Sequence, residues 1–260
     1  MNPVAFTIFG LEVHWYGILI AVGLILAIFL ARLLAPLREF KKDDPFEWIL
    51  WMFPFAIVGA RLYFLIFNGG PWGWESFAIW DGGIAVYGSI IGGAFGAFVY
   101  CLVRKKSFFS VADVAVPCLI LGQGIGRIGC YFSNCCYGEV VTDPSLQFFP
   151  ISIMLNGEWH YATMFYESFC DFIICAVLIV LLKKVKIKGI VFSSYLILYG
   201  IVRALIEGIR GESLMIGSLR TSQVLSIILI AVGVALMIYL IVKYIREQKK
   251  PKEVQTSGEL

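Results

Sequence analysis

Four residues near the end of one apolar segment carry the first chemical signal. Tyr199, Arg203 and Glu207 follow at intervals of four, and Arg210 comes three later. On a helix this spacing sets a phenol, two guanidiniums and a carboxylate on one face. Such a face suits an anion, because the guanidinium fork matches phosphate oxygens and a carboxylate one turn away orients it. A second signal is GQGIGRIGCYFSNCCYG, residues 122–138, where Gly122, Gly124, Gly126 and Gly129 remove bulk around Arg127. Backbone N–H groups and a guanidinium can then approach one anion together. The same glycines equally suit helix packing.

Cys130, Cys135 and Cys136 close that stretch. They could pack or form a disulfide, bind a metal, or relay a thiol reaction. Packing or a disulfide is the favoured reading, though adjacent Cys135 and Cys136 are poorly placed to bridge each other. No His pair lies at ligand spacing, so neither a metal nor a cofactor is expected. Cys101, Cys118, Cys170 and Cys175 fall within apolar segments, where free cysteine packs as a small hydrophobe.

The elements that must position these groups are membrane helices. Of the 260 residues, 60% are apolar and 15% charged, with a mean hydropathy of +0.85. A soluble domain carries about 25% charged residues. Disorder, collagen-like repeats and small disulfide scaffolds are excluded, and a net charge of +3 offers no basic face for nucleic acid. A spanning helix takes about 20 apolar residues. Seven segments qualify, near 15–36, 46–68, 83–103, 108–132, 164–182, 189–209 and 222–243. The expected fold is an all-α polytopic membrane protein of seven transmembrane helices. The N-terminal residues lack a basic region before their apolar run, so no cleavable signal is expected.

Basic residues cluster after the first, third, fifth and seventh segments: Arg38, Lys41 and Lys42; Arg104 to Lys106; Lys183 to Lys188; Lys243 to Lys252. Their bias places that side in the cytoplasm, the N-terminus outside and the C-terminus inside. Residues 1–243 are expected to form one transmembrane domain, the one that would carry any chemistry, with an extracytoplasmic loop at about 137–163. Residues 244–260 form a cytoplasmic polar tail. Asp81, Gly82 and Gly83 make the turn into the third segment, whose Gly88, Gly92 and Gly96 read as a packing face.

An arginine at the bilayer centre costs about 2.5–3.5 kcal/mol to insert, so intramembrane arginines need partners, a cavity or a ligand. At about 1.5 Å per residue, Arg61, Arg127, Arg203 and Arg210 fall in the outer half of the bilayer. Tyr16, Tyr87, Tyr166 and Glu167 start their segments at similar depth. Together they suggest a site for an anionic outer-leaflet group, most simply a phospholipid headgroup. The structural alternative is a set of buried ion pairs, Arg203 with Glu207 and Arg61 or Arg127 with Glu167.

Several motifs now stand in order: HWYG (14–17), GARLYF (59–64), WDGGIAVYG (80–88), SFFSVADVAVP (107–117), GRIGCYFSNCCYG (126–138), YES (166–168), YGIVRALIEGIR (199–210) and SQVLS (222–226). In these the chain resembles the prolipoprotein diacylglyceryl transferase family. The resemblance implies a multi-pass enzyme of the bacterial cytoplasmic membrane. It would move a diacylglyceryl group from phosphatidylglycerol to the lipobox cysteine of an exported prolipoprotein, leaving a thioether and releasing glycerol phosphate. Arg127 and Arg203 then correspond to phosphate-facing arginines, Glu207 to their acidic partner and Tyr16 to a site tyrosine. Asn134 and Gly138 lie within the signature.

The chain also departs from the family. Tyr87 stands where a His is usual, Cys130 where Asn is usual and Cys135 where an acid is usual, and Tyr161 to Met164 replace an HP(S/T)Q stretch. The expected catalytic set is Arg127, Arg203, Glu207 and Tyr87. The substrate-binding set is Tyr16, Arg61, Asn134, Gly138, Glu167, Tyr199 and Arg210. The departures leave open another acceptor or a non-catalytic lipid-binding role. A transporter would need a polar path across the full thickness, whereas the inner half offers mainly Asp113.

Overall fold

A computed structural model describes residues 3–68, 83, 85–211, 215–216 and 219–249. Asp81 and Gly82 of the expected turn, and residues 250–260 of the expected tail, lie outside them. The chain opens with a hairpin, β1 (Val4–Ile8) and β2 (Leu11–His14), that leads into α1 (Trp15–Leu34). A 3-10 turn, Ala35–Arg38, follows, and then α2 (Asp44–Asn68), α3 (Val86–Val103) and α4 (Phe108–Phe132). A second hairpin, β3 (Ser152–Leu155) with β4 (Glu158–Tyr161), precedes α5 (Thr163–Lys184) and α6 (Ile190–Glu207). A two-residue hairpin, β5 (Met215–Ile216) with β6 (Leu219–Arg220), joins α6 to α7 (Thr221–Lys249).

All seven expected segments are helices. Six are long and apolar enough to cross a membrane, and the third, Tyr87–Val103, is shorter. The all-α expectation holds, with three two-stranded hairpins added in the connections. α7 continues through Tyr244 to Lys249, so the expected tail begins as helix. Large apolar side chains such as Ile25, Leu50, Val58 and Phe67 are exposed along the helices, as a hydrocarbon solvent permits.

α4 is the hub, packing on α1 along one side and α5 along another, with α6 behind α5 and α7 on α6. α2 packs chiefly on α3. That pair is a glycine contact: a Cβ on Gly88 would lie 2.2 Å from the Gly59 carbonyl oxygen, and one on Gly92 would lie 2.1 Å from that of Phe55. Small residues let backbones meet where no hydrophobic effect separates helix from lipid. The packing reading of Gly88, Gly92 and Gly96 is therefore correct.

One end of the bundle carries the Lys/Arg-rich connections, and there a buried clamp joins four elements, the 3-10 turn, α4, α5 and α6. Arg38 Nε donates to Asp113 Oδ2 at 3.1 Å, with both side chains almost fully enclosed. The same guanidinium donates to the carbonyls of Leu182 (3.3 Å) and Val185 (2.9 Å) at the end of α5. Asp113 accepts from the backbone N–H of Gly189 (2.9 Å) and Phe192 (3.0 Å) at the start of α6. A cation thus meets unpaired carbonyls at a helix C-terminus, and an anion meets unpaired N–H groups at an N-terminus. Arg38, counted in the sequence among surface topogenic charges, is a core residue 5% exposed.

Candidate functional site

At the opposite end of the bundle, α4, α5 and α6 bring their charges together. Glu167 begins the second turn of α5 and is the centre of the group. Its Oε2 pairs with Arg127 Nε from α4, and its Oε1 with Arg203 Nη1 from α6. Arg203 Nη2 reaches Glu207 Oε2 at 3.1 Å, one turn along α6. Arg210 Nη1 lies 3.9 Å from both Glu167 Oε1 and Glu207 Oε2. α6 ends at Glu207, so Arg210 reaches the group from the turn beyond and not from the helix face expected. The ion pairs weighed as an alternative, Arg203–Glu207 and Arg127–Glu167, both form.

The exposure within this group is uneven. Glu167 and Glu207 side chains are 7% and 2% exposed, while Arg127 is 20% and Arg203 and Arg210 are 16%. The carboxylates are sealed and the guanidiniums keep a reachable edge. Asp171, one turn after Glu167, is buried and accepts from Gln123 Nε2 at 3.1 Å. Ser168 Oγ donates to the Gly124 carbonyl at 2.8 Å, locking α5 to α4 beside Arg127. Tyr199 stacks on Tyr195 at 5.7 Å between ring centroids and lies within electrostatic reach of Arg127 and Arg203. Asp171, Gln123 and Ser168 were not among the expected site residues, although Asp171 keeps the four-residue spacing from Glu167.

Around Arg127 the glycines divide between two uses. A Cβ on Gly129 would press on the Tyr16 ring at 2.9 Å, and one on Gly124 would crowd Phe172 and Asp171 at 3.0–3.3 Å. One on Gly126, next to Arg127, would meet nothing within 4 Å. Tyr16 therefore lies across the end of α4, within electrostatic range of Arg127 and the three thiols.

α4 is closed by a Schellman turn. Asn134 adopts φ 47°, its N–H donating to the Tyr131 carbonyl, and Cys135 N–H donates to Cys130 O at 3.1 Å. Asn is the residue after Gly best suited to that left-handed position. The turn returns Cys135 and Cys136 over Cys130, and all three Sγ atoms lie within 4.8 Å of one another. The Cys136 thiol is held well below the ordinary thiol range, first by a hydrogen bond from Cys130 and then, against burial, by Arg210 and Arg127. Burial pushes the Cys135 thiol up.

Gly138 is a backbone crossing. Its N–H donates to Tyr161 O at 2.9 Å, it bridges Arg210, and a Cβ there would lie 2.7 Å from Ile209 O and from the Tyr161 side chain. It ties the Cys135–Cys136 loop to the β3–β4 hairpin and to Arg210.

Two expected site residues stand apart from the ion-paired group. Arg61 donates to the Gly83 carbonyl at 3.2 Å and lies over the Phe64 ring, within the α2–α3 pair. Tyr87 is half-exposed at the start of α3, tilted against Tyr63 with centroids 6.2 Å apart. The direction of each around its helix was not legible from spacing.

The prolipoprotein diacylglyceryl transferase family model matches residues 3–239. A Clostridium botulinum (strain Langeland) protein named phosphatidylglycerol–prolipoprotein diacylglyceryl transferase is 40% identical over 257 residues, covering 96% of this chain and all of that protein. A Clostridium perfringens protein of the same name, numbered 1, is 37% identical over 96% of this chain and 98% of its own length. An Oceanobacillus iheyensis protein with that name is 40% identical over 92% of this chain and 88% of its own.

Proposed function

The chain belongs to the prolipoprotein diacylglyceryl transferase family, and from that membership we propose that it transfers a diacylglyceryl group from phosphatidylglycerol to the lipobox cysteine of an exported prolipoprotein. It acts in the bacterial cytoplasmic membrane with its arginine-rich end outside and its Lys/Arg-rich end in the cytoplasm, which puts the N-terminus outside and the C-terminus inside. Residues 1–243 do the chemistry. The charge bias of the connections supports this orientation.

The observation that carries the reading is the group of three arginines on two sealed carboxylates. In that contact set the arginine side chains are 16–20% exposed and the carboxylate side chains 7% or less. A phosphodiester monoanion complements such a surface in charge and in hydrogen-bond geometry. Arg127 meets Glu167 through Nε, and its Nη fork is the part assigned to the phosphate. Glu167 and Glu207 hold Arg203 on two sides and so fix its plane.

In the reaction the acceptor S–H loses its proton and sulfur attacks the glyceryl carbon bonded to the phosphate ester oxygen. A C–S bond forms, the C–O bond breaks, and its electron pair leaves on glycerol phosphate, which gains one negative charge. Arg127 and Arg203 stabilise that charge as it develops, and Arg210 neutralises the rest. Preorganisation by buried carboxylates means that the donors need not reorient during the step. Tyr16 and Tyr199 line the approach. Asn134 and Gly138 act by shaping the loop that bears Cys135 and Cys136. The positions of Arg61 and Tyr87 favour contact with the lipid away from the reacting bond.

The test combines purified full-length protein, phosphatidylglycerol vesicles and a lipobox-cysteine peptide, with the thioether read by mass spectrometry. The wild type forms the thioether and Arg127→Ala and Arg203→Ala do not. A wild type that binds the lipid yet yields no thioether overturns the reading.

A further inference from the structure

One cluster remains outside this account. The thiols of Cys130, Cys135 and Cys136 converge in a half-buried pocket among Tyr131, Tyr137 and Phe165. Three features bring them there. The Schellman turn lifts Cys135 over Cys130. Cys136 takes φ 63°, a conformation that a residue with a side chain rarely adopts. Thr163 Oγ1 then fixes the Cys136 carbonyl at 2.7 Å. Packing alone does not require three thiols to face one another across a turn held in this way.

Among the described residues no histidine joins the arginine–carboxylate group to take the acceptor's proton. A cysteine thiol with pKa near about 8.5 is mostly protonated at neutral pH. The chain has two histidines, and both are engaged: His14 Nδ1 with the Glu12 carbonyl, and His160 Nδ1 with the Gly138 carbonyl and Nε2 near Glu158. Glu167 and Glu207 are sealed under arginines. A metal-bound thiol, by contrast, is deprotonated outright.

We propose that Cys130, Cys135 and Cys136 form a three-thiolate zinc site that takes the acceptor cysteine thiol as its fourth ligand. The inference rests on the transferase reading for the identity of that thiol. Zinc–sulfur bonds of about 2.3 Å in a tetrahedron put sulfurs about 3.8 Å apart, so the present spacing of at most 4.8 Å needs to contract by about 1 Å. Three protein ligands and one exchangeable position are the pattern by which zinc handles a substrate. Among the described residues the donor group holds these three thiols alone. The sequence argued against a metal because no His pair lay at ligand spacing; the turn supplies a donor set made wholly of sulfur.

The location suits the chemistry. Arg127 and Arg210 act electrostatically on Cys136 and offset the negative charge that four thiolates around a divalent cation would leave. Arg127 pairs with Glu167 and also lies within electrostatic reach of the thiol cluster. On coordination the acceptor S–H gives its proton to water. A sulfur lone pair then forms the C–S bond as the C–O bond breaks, so the step is redox-neutral. The thioether, a weaker ligand than thiolate, leaves the metal.

The test uses reduced full-length protein in detergent. After chelator treatment and dialysis against Zn2+, it retains about one zinc per chain, and Cys130→Ser, Cys135→Ser and Cys136→Ser each lower affinity about 10–100-fold or more. The Co2+ form shows sulfur-to-cobalt charge-transfer absorption. A lipobox peptide with Cys shifts that band and the Ser peptide does not. Stripping zinc from the wild type lowers thioether formation and re-adding it restores the rate, which needs no variant to fold. Failure of reduced protein to bind Zn2+, a Co2+ band that ignores the Cys peptide, or a Cys130–Cys136 disulfide that persists under mild reductant overturns the proposal. Undiminished thioether formation by zinc-free protein also overturns it and leaves the transferase reading intact. A Co2+ band that shifts with the peptide while no thioether ever forms does the reverse, supporting the thiol site and removing the transfer reaction.

Discussion

The two ends of the bundle each hold a buried arginine–carboxylate arrangement, and they are built on opposite plans. At the Lys/Arg-rich end, Arg38 and Asp113 pair one to one, 4% and 0% exposed, and their remaining bonds go to the backbone ends of α5 and α6. At the other end, three arginines share two carboxylates and keep their edges accessible. The first arrangement has its hydrogen-bonding capacity directed inward. The second is held rigid from beneath and presents donors outward. Unequal burial of charge thus separates the two ends: the sealed pair joins helices, and the more exposed arginines are the ones proposed to meet an anion.

Substitutions can break this contrast or sharpen it. The largest effect is expected at Asp113. Asp113→Ala strands the Arg38 charge and uncaps α6, which should cost about 3–5 kcal/mol of stability. Unfolding in detergent micelles measures it, while turnover per folded molecule should stay close to wild type. If turnover per folded molecule collapses as well, the division of labour is wrong. Next come Arg127→Ala and Arg203→Ala, expected to lower thioether formation about 100- to 1,000-fold, or about 2.7–4 kcal/mol in the barrier. Their melting temperatures should fall less than that of Asp113→Ala, because Glu167 keeps two other arginine partners. Arg203→Lys sharpens this point: the charge stays but the fork is lost, so most of the activity should still go.

Smaller effects belong to the scaffold. Gly92→Val drives a side chain against the Phe55 carbonyl and should destabilise the α2–α3 pair by about 1–3 kcal/mol, read by thermal unfolding. Ser168→Ala removes the bond to the Gly124 carbonyl next to Arg127 and should cost about 0.5–1.5 kcal/mol of stability. An activity loss well beyond that at Ser168 would show that the Arg127 setting depends on the α4–α5 lock.

What could be read from the sequence follows the same contrast. Arg203 and Glu207 were legible because helical periodicity fixes both depth and face. Arg127 and Glu167 were legible as intramembrane charges that demand partners. Arg38 was legible only as one more basic residue on its side, because the helix ends it serves are set by packing. Tyr87 and Arg61 were expected at the depth of the cluster, but where each faces around its helix depends on packing and not on spacing. The β3–β4 hairpin is four residues a side with irregular polarity, too short for a period to show. The Cys130–Cys135–Cys136 grouping depends on a left-handed Asn134, a backbone property that the residue type permits but does not announce.

The Arg38–Asp113 clamp also constrains how the protein is made. Arg38 leaves the ribosome just after α1, yet its partners are Asp113, 75 positions later, and carbonyls 144 and 147 positions later. Until α4 and α5 have been threaded into the bilayer, that guanidinium has nothing to bind at its final depth and must wait at the aqueous boundary. Asp113 must likewise wait for Gly189 and Phe192. Biogenesis therefore has a late closing event: the clamp has its full set of bonds only once Gly189 and Phe192 have been made.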